Sequence, residues 1–173
     1  SMVNSPSPTR AEASDVATAV FDSVDCVMLS AETASGKFPI ESVKIMDRII
    51  RGVENDFSYR QLLESKKIKL EETTSDAISS AASQVVKTVL AKAIFTYTRS
   101  GGTAKRAARE RPTVPIIGLS PERLTARQLA LIWGVHNIHA LEPKSFSGMI
   151  ENACELAKKE RIVRKGDYVV ITA

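Results

Sequence analysis

The chain has 173 residues, with 43% hydrophobic and 25% charged side chains and a net charge of +4. That length suits one domain or one and a part, and the composition is that of a soluble globular protein. Aromatic residues make up only 5% and the basic residues are mixed with acidic ones, which argues against nucleic-acid binding, where a concentrated basic face with stacking aromatics is needed. No run approaches transmembrane length and no signal-peptide pattern opens the chain, so a cytoplasmic protein without a membrane partner is expected. Cys26 and Cys154 both lie in apolar patterns, and buried thiols are the favoured reading over a disulfide.

Asn4 to Pro8 is a Pro/Ser segment that cannot be helical. Thr9-Arg10-Ala11-Glu12 is a capping box, in which the Thr9 hydroxyl takes the Glu12 N–H and the Glu12 carboxylate reaches back. The helix it starts runs to about Phe21, with Val16, Ala17, Val20 and Phe21 on one face, and Asp22 and Ser23 end it. Val24 to Leu29, broken only by Asp25, suits a parallel strand covered on both sides. Ser30 to Lys37 is then a polar loop at the end of that strand where parallel α/β folds place sites. Pro39 suits the first position of a helix whose Ile40, Val43, Met46, Ile50 and Val53 make an apolar stripe.

Asn55 to Glu72 is polar apart from Leu62, Leu63 and Ile68, and reads as a helical or irregular connector between domains. Thr74 or Ser75 should cap the next helix, with Ile78, Ala81, Ala82, Val85, Val86 and Val89 as its stripe. Four short apolar runs follow: Ala93 to Thr98, Val114 to Leu119, Val135 to Leu141 and Tyr168 to Thr172. Helical patterns separate them at Thr103 to Glu110, Pro121 to Trp133 and Ser145 to Lys159. This alternation predicts βαβ units and a parallel sheet. A four-strand sheet stopping at Ala173 reads as lacking its last strand.

The stretch with most chemistry is Thr98-Arg99-Ser100-Gly101-Gly102-Thr103. A strand, a glycine turn and a helix start in that order can cradle a phosphate, because the first helical N–H groups are unpaired and the helix dipole adds positive charge. Gly101 and Gly102 permit close backbone approach, and Arg99 offers a fork for an anion. The residues alone leave a second reading open, a tight βα turn with nothing bound. It is not a Walker loop, since no Gly-Lys-Ser/Thr ends it. His136 and His139 are three apart on a predicted strand and face opposite sides, which disfavours a metal site. Glu32 alone reads as a solvated or capping side chain, Trp133 as packing, and the basic run from Lys158 to Lys165 as a solvated helix end. No nucleophile–base constellation is evident.

The segments Asn4 to Glu12, Ser14 to Ala17, Asp25 to Ala34 and Gly36 to Pro39 strongly resemble pyruvate kinase. So do Thr98 to Ala104, which is similar to that family's sugar-phosphate loop, Arg111-Pro112 with Pro115 to Leu119, and Lys165 to Val170. The resemblance covers essentially the whole chain. It implies a three-layer α/β/α, mostly parallel sheet at residues 75–173, preceded by a remnant of a (β/α)8 barrel at 1–56 and a connector at 57–74. It implies a phosphotransferase of glycolysis that moves the phosphoryl group of phosphoenolpyruvate to ADP with Mg2+ and K+. The family's phosphate-contacting lysine, magnesium carboxylates and catalytic threonine lie in segments this sequence does not contain. The chain is therefore expected to be a C-terminal regulatory and assembly portion, inactive alone and without a metal or catalytic residue of its own. Ser30, Glu32 and Thr33 would support the mouth of the active site, and Thr98, Arg99, Ser100, Gly101, Gly102 and Thr103 would bind the phosphate of an effector. Expected partners are the remainder of the enzyme, further copies in a homotetramer, and a sugar phosphate. Two departures stand out: Ala31 replaces a frequent Gly, and the Gly-rich effector segment and final strand that usually follow the position of Ala173 are missing, which should weaken effector binding. The alternative is a stand-alone anion-binding or interaction module. On the first reading, the apolar faces between Thr9 and Val53 should be left uncovered, favouring self-association, irregular folding or disorder.

Overall fold

The computed structural model describes residues 2–65 and 72–173. The chain divides into two compact units, Ser1–Lys67 and Ile68–Ala173. The connector position Ile68 lies outside the described residues.

The first unit is built from helices. α1 (Arg10–Phe21) opens with the expected capping box. The Glu12 N–H donates to Thr9 Oγ1 at 3.2 Å, and the Thr9 N–H donates to the Glu12 carboxylate at 2.8 Å. Donation from the Thr9 backbone and then its hydroxyl holds the Glu12 pKa below the usual range. α2 (Ala31–Ala34) is one turn, α3 (Pro39–Glu54) has Pro39 at its start, and α4 (Phe57–Ser65) follows. Half of the expected connector is therefore helix, and it belongs to this unit: Tyr59 is buried with its ring edge-on to Phe21, centroids 5.5 Å apart.

The strand expected at Val24–Leu29 does not form. A strand needs a ladder, and no strand lies among the described residues of this unit. The run is covered on one side only: Val27 and Leu29 are half-buried while Met28 between them is 85% exposed. Cys26 is exposed and Cys154 half-buried, which corrects their expected burial, and neither is in a disulfide. The α3 stripe is only partly used, for Ile40 and Val43 stand exposed at 63% and 53% while Met46, Ile50 and Val53 are half-buried.

The second unit is the α/β layer structure read from the alternation. β1 (Ile94–Tyr97), β2 (Ile116–Ser120), β3 (Val135–His139) and β4 (Val170–Thr172) form one parallel sheet in the order β3-β2-β1-β4. β1 pairs with β2 from Ile94↔Ile116 to Tyr97↔Leu119, and with β4 from Ile94↔Val170 to Thr96↔Thr172. Side chains alternate across a strand, so Phe95, Ile117 and Leu119 share one face, where α8 (Phe146–Lys159) packs Ala153 and Ala157 onto them. Ile94 and Ile116 face the other side. There they meet Val86 of α5 (Thr74–Val89) and Ala107 and Ala108 of α6 (Gly102–Arg109). α7 (Arg123–Leu129), shorter than expected, lays Leu129 over Gly118, where an added Cβ would stand 3.2 Å from the leucine methyl. Phe95, Ile117 and Leu119 are each almost fully buried, which is about 2–3 kcal/mol of transfer free energy per side chain.

Two details of α5 depart from the periodicity. Its cap is Thr73, whose hydroxyl accepts the Asp76 N–H, rather than Thr74 or Ser75. Its inward face is Ser79, Ala82, Ser83 and Val86, leaving Ile78, Val85 and Val89 exposed. Burying serine costs little when the hydroxyl bonds back to its own helix, as Ser79 does to the Ser75 carbonyl at 2.9 Å.

Buried charge ties α5 to α6. Asp76 has no exposed surface and receives Arg109 Nη2 at 2.9 Å, while Glu110 stands 3.8 Å from the same nitrogen. Burial pushes the Glu110 pKa up, Arg109 pulls it down and Asp76 raises it further, with a net rise. Replacing Asp76 by Ala removes the nearer, fully buried carboxylate of Arg109, leaves it only the longer approach to Glu110, and should cost about 3 kcal/mol, measured by denaturant unfolding. Glu110→Gln should do the reverse and raise stability at neutral pH, because it removes a carboxylate whose charged form burial disfavours. The pH dependence follows from the raised pKa: stability from the protonated acid is present below the ordinary glutamate range and is lost as pH rises through the folded-state value. The gap between Glu110→Gln and wild type should therefore close on acidification. A gap constant with pH would show that Glu110 does not titrate differently in the folded state.

Candidate functional site

The carboxyl ends of the strands gather the chemistry. α6, the crossover from β1 to β2, and α8, the crossover from β3 to β4, lie on opposite faces of the sheet. Connections that leave in opposite directions open a crevice beyond the strand ends. A cleft of about 220 Å³ lies there, lined by Tyr97, Thr98 and Arg99 after β1, Leu119 and Pro121 at β2, and Ala140 to Pro143 after β3.

The loop from Thr98 to Gly101 is fixed from within. The Thr98 N–H donates to the Leu119 carbonyl at 2.9 Å, continuing the β1–β2 ladder beyond the last strand residue. Thr98 Oγ1 then accepts the Gly101 N–H at 2.9 Å. Gly101 sits at φ +89°, a conformation that residues with a Cβ avoid. α6 starts at the next residue, with the Lys105 N–H donating to the Gly101 carbonyl at 3.0 Å.

The expected effector residues are thus brought together, in different roles. Thr98 is buried and acts as a brace, Gly101 is buried, Gly102 and Thr103 are half-buried, and Ser100 and Arg99 are exposed. Arg99 pairs with Glu142, and the hydrogen bond and charge of that carboxylate raise the guanidinium pKa. Opposite, the Tyr97 hydroxyl donates to the Met149 carbonyl at 2.7 Å. Burial is the main reason its pKa is raised.

Sequence reasoning missed Glu142, Tyr97 and Met149. A Glu-Pro pair just beyond a predicted strand was the available signal for Glu142, since loops at that edge line the crevice. Nothing local marked Tyr97 or Met149, which meet across 52 residues.

The histidines stay apart from this cleft's chemistry. Both are exposed, and His139 Nε2 lies 3.0 Å from the Pro121 carbonyl. Trp133 is half-buried under the Arg111 guanidinium, 4.5 Å from the ring centroid. Among the described residues no cluster of three metal-ligating side chains occurs, and no helix is long and apolar enough to cross a membrane.

The second group of expected site residues lies in the first unit. The Glu32 carboxylate accepts the Ser30 N–H at 3.0 Å, and the Thr33 hydroxyl donates to the Ser30 carbonyl at 3.2 Å. These contacts close the single turn of α2. Glu32 also borders a cleft of about 200 Å³ with Glu12, Asp15, Met28 and Met46 among its lining residues.

Comparison with known proteins adds to this geometry. The family profile described as "Pyruvate kinase, alpha/beta domain" matches residues 76–173, and the one described as "Pyruvate kinase, barrel domain" matches residues 1–43. The chain belongs to the pyruvate kinase family. A pyruvate kinase of Methylorubrum extorquens is 46% identical over 173 residues, all of this chain and 36% of that protein. One of Agrobacterium vitis is 43% identical over 171 residues, 99% of this chain and 36% of that protein. Among solved structures, a pyruvate kinase of Cryptosporidium parvum superimposes with a TM-score of 0.88 at 35% identity, covering 99% of this chain and 36% of that one. The chain thus spans about a third of the length of these pyruvate kinases.

Two substitutions test the internal bracing of the pyruvate kinase loop described above. Thr98→Val keeps the shape but removes the acceptor of the Gly101 N–H, and Gly101→Ala forces a side chain into the left-handed region. Each should cost about 1–2 kcal/mol. In amide hydrogen exchange, Thr98→Val should expose the Gly101 N–H, raising its rate severalfold while amides of β2 stay protected; an unchanged rate would remove the brace.

Proposed function

We propose that this chain is the part of a pyruvate kinase that carries the end of the catalytic barrel and the α/β regulatory and assembly domain, and that it has no phosphotransfer activity alone. In the complete enzyme the reaction moves the phosphoryl group of phosphoenolpyruvate to ADP, giving pyruvate and ATP, with Mg2+ and K+. The single observation supporting this most strongly is identity of 46% across all 173 residues to a protein about three times as long. Inactivity follows from electrostatics: a moving phosphoryl group needs its lysine and metal carboxylates in one place, and the resemblance puts those residues outside this sequence. Ser30, Glu32 and Thr33 then shape the mouth of the active site, consistent with their mutual contacts. The reading also carries a cytoplasmic location and assembly into a homotetramer.

Thr98 to Thr103 is the phosphate-contacting part of an effector site for a sugar phosphate. A braced turn, Gly101 in the left-handed region and an adjacent cleft support this. The competing reading, a stand-alone sugar-phosphate-binding or interaction module, predicts polar outer faces in the first unit. Exposed Ile40, Val43, Met28 and Phe57 favour the enzyme part instead.

Coupled assay of the isolated chain with phosphoenolpyruvate, ADP, Mg2+ and K+ should give no turnover above a blank. Measurable turnover would overturn the division of labour. Calorimetric titration with fructose 1,6-bisphosphate should give weak, saturable heat, and none at millimolar ligand would remove the effector site.

A further inference from the structure

The cleft beside the loop holds its own anion. Among the residues that line it, the charged side chains are Arg99 and Glu142, and they are bound to each other. The rest of the lining is mostly apolar, including Leu119, Pro121, Leu141, Pro143 and Met149. A carboxylate and a phosphate present the same chemistry to a guanidinium, planar or forked oxygens that take its N–H donors in pairs. An anion that takes Arg99 through Nη2 competes with Glu142 for that group.

We propose that Glu142 is a built-in competitor at Arg99: its carboxylate holds the Nη2 group until a phosphate group displaces it, and displacement unties the segment after β3 from the loop after β1. The proposal rests on reading Thr98 to Thr103 as a phosphate-binding loop, and adds to it a residue from a different part of the chain. The pair spans 43 residues of sequence, so an anion that displaced Glu142 would break a side-chain tie between two loops distant in the chain. Both partners are well exposed, at 69% and 60%. An exposed ion pair is individually weak, which suits a competitor, since it lowers affinity without closing the site. Glu142 acts twice, once by occupying Nη2 and once by repelling an incoming dianion. Glu122 adds negative charge near Arg99 from further away, acting through charge alone.

The test is a two-dimensional NMR titration of the whole 173-residue chain with fructose 1,6-bisphosphate at low salt, read at the Gly101 and Gly102 amides. Glu142→Gln should bind about threefold or more tightly than wild type, with the gap shrinking as ionic strength rises. Glu122→Gln should give a smaller change. In the double variant Arg99→Gln with Glu142→Gln, affinity should fall to wild type or below. Equal affinity of wild type and Glu142→Gln overturns the competitor and leaves the phosphate loop standing. A double variant that binds as tightly as Glu142→Gln shows that Arg99 is not what Glu142 withholds, and also overturns it. No shift at either glycine in wild type and Glu142→Gln at millimolar ligand overturns the loop reading and the competitor with it.

Discussion

The second unit depends on covering β1 from both sides. A central parallel strand turns alternate side chains to opposite faces, so it is stable only between two layers. Here Phe95 goes to α8 while Ile94 and Thr96 go to the other face, and none of the three has more than 1% of its surface exposed. Alanines set the distance. Ala153 and Ala157 on one side, and Ala104, Ala107 and Ala108 on the other, are small enough for helix backbones to approach the sheet closely. That demand puts α6 and α8 on opposite faces, and the opposed crossovers open the crevice at the strand ends. The position of the candidate site is thus a by-product of how the core is closed.

Within that crevice the loop owes its shape to one strand extension and one side-chain bond. Thr98 continues the ladder to β2 through its N–H and turns its hydroxyl to the Gly101 N–H. A threonine that spends its hydroxyl on the backbone is a positioning residue, while Ser100 and Arg99, left outside, are the groups that can meet a ligand. The apolar floor and the paired charges on its rim differ from the polar cradle that the loop sequence alone suggests.

The first unit behaves differently for the same physical reason. Its helices carry apolar stripes, but within it α1, α3 and α4 cover each other only in part, burying Val20 and Tyr59 and leaving Ile40, Val43 and Phe57 exposed. Val24 to Leu29 has the composition of a buried strand and no ladder to join. Composition expresses a demand for neighbours, and a strand exists only where the neighbours supply hydrogen bonds.

The sequence by itself determined the features that are written locally. The Thr9–Glu12 capping box, Pro39 at the start of α3, the helix at 146–159 and the four-strand alternation each rest on residues within a turn or two of one another, and the motifs at 4–39 and 98–119 carried the family. Only the tertiary structure decided which face of α5 turns inward, where Ser79 is buriable because its hydroxyl bonds within the helix. It also decided that 57–65 is packed helix, through Tyr59 meeting Phe21. The Arg99–Glu142 and Tyr97–Met149 contacts join residues 43 and 52 positions apart. No local pattern encodes such pairs, since they exist only after the sheet has set the strand order and brought the loops to one edge.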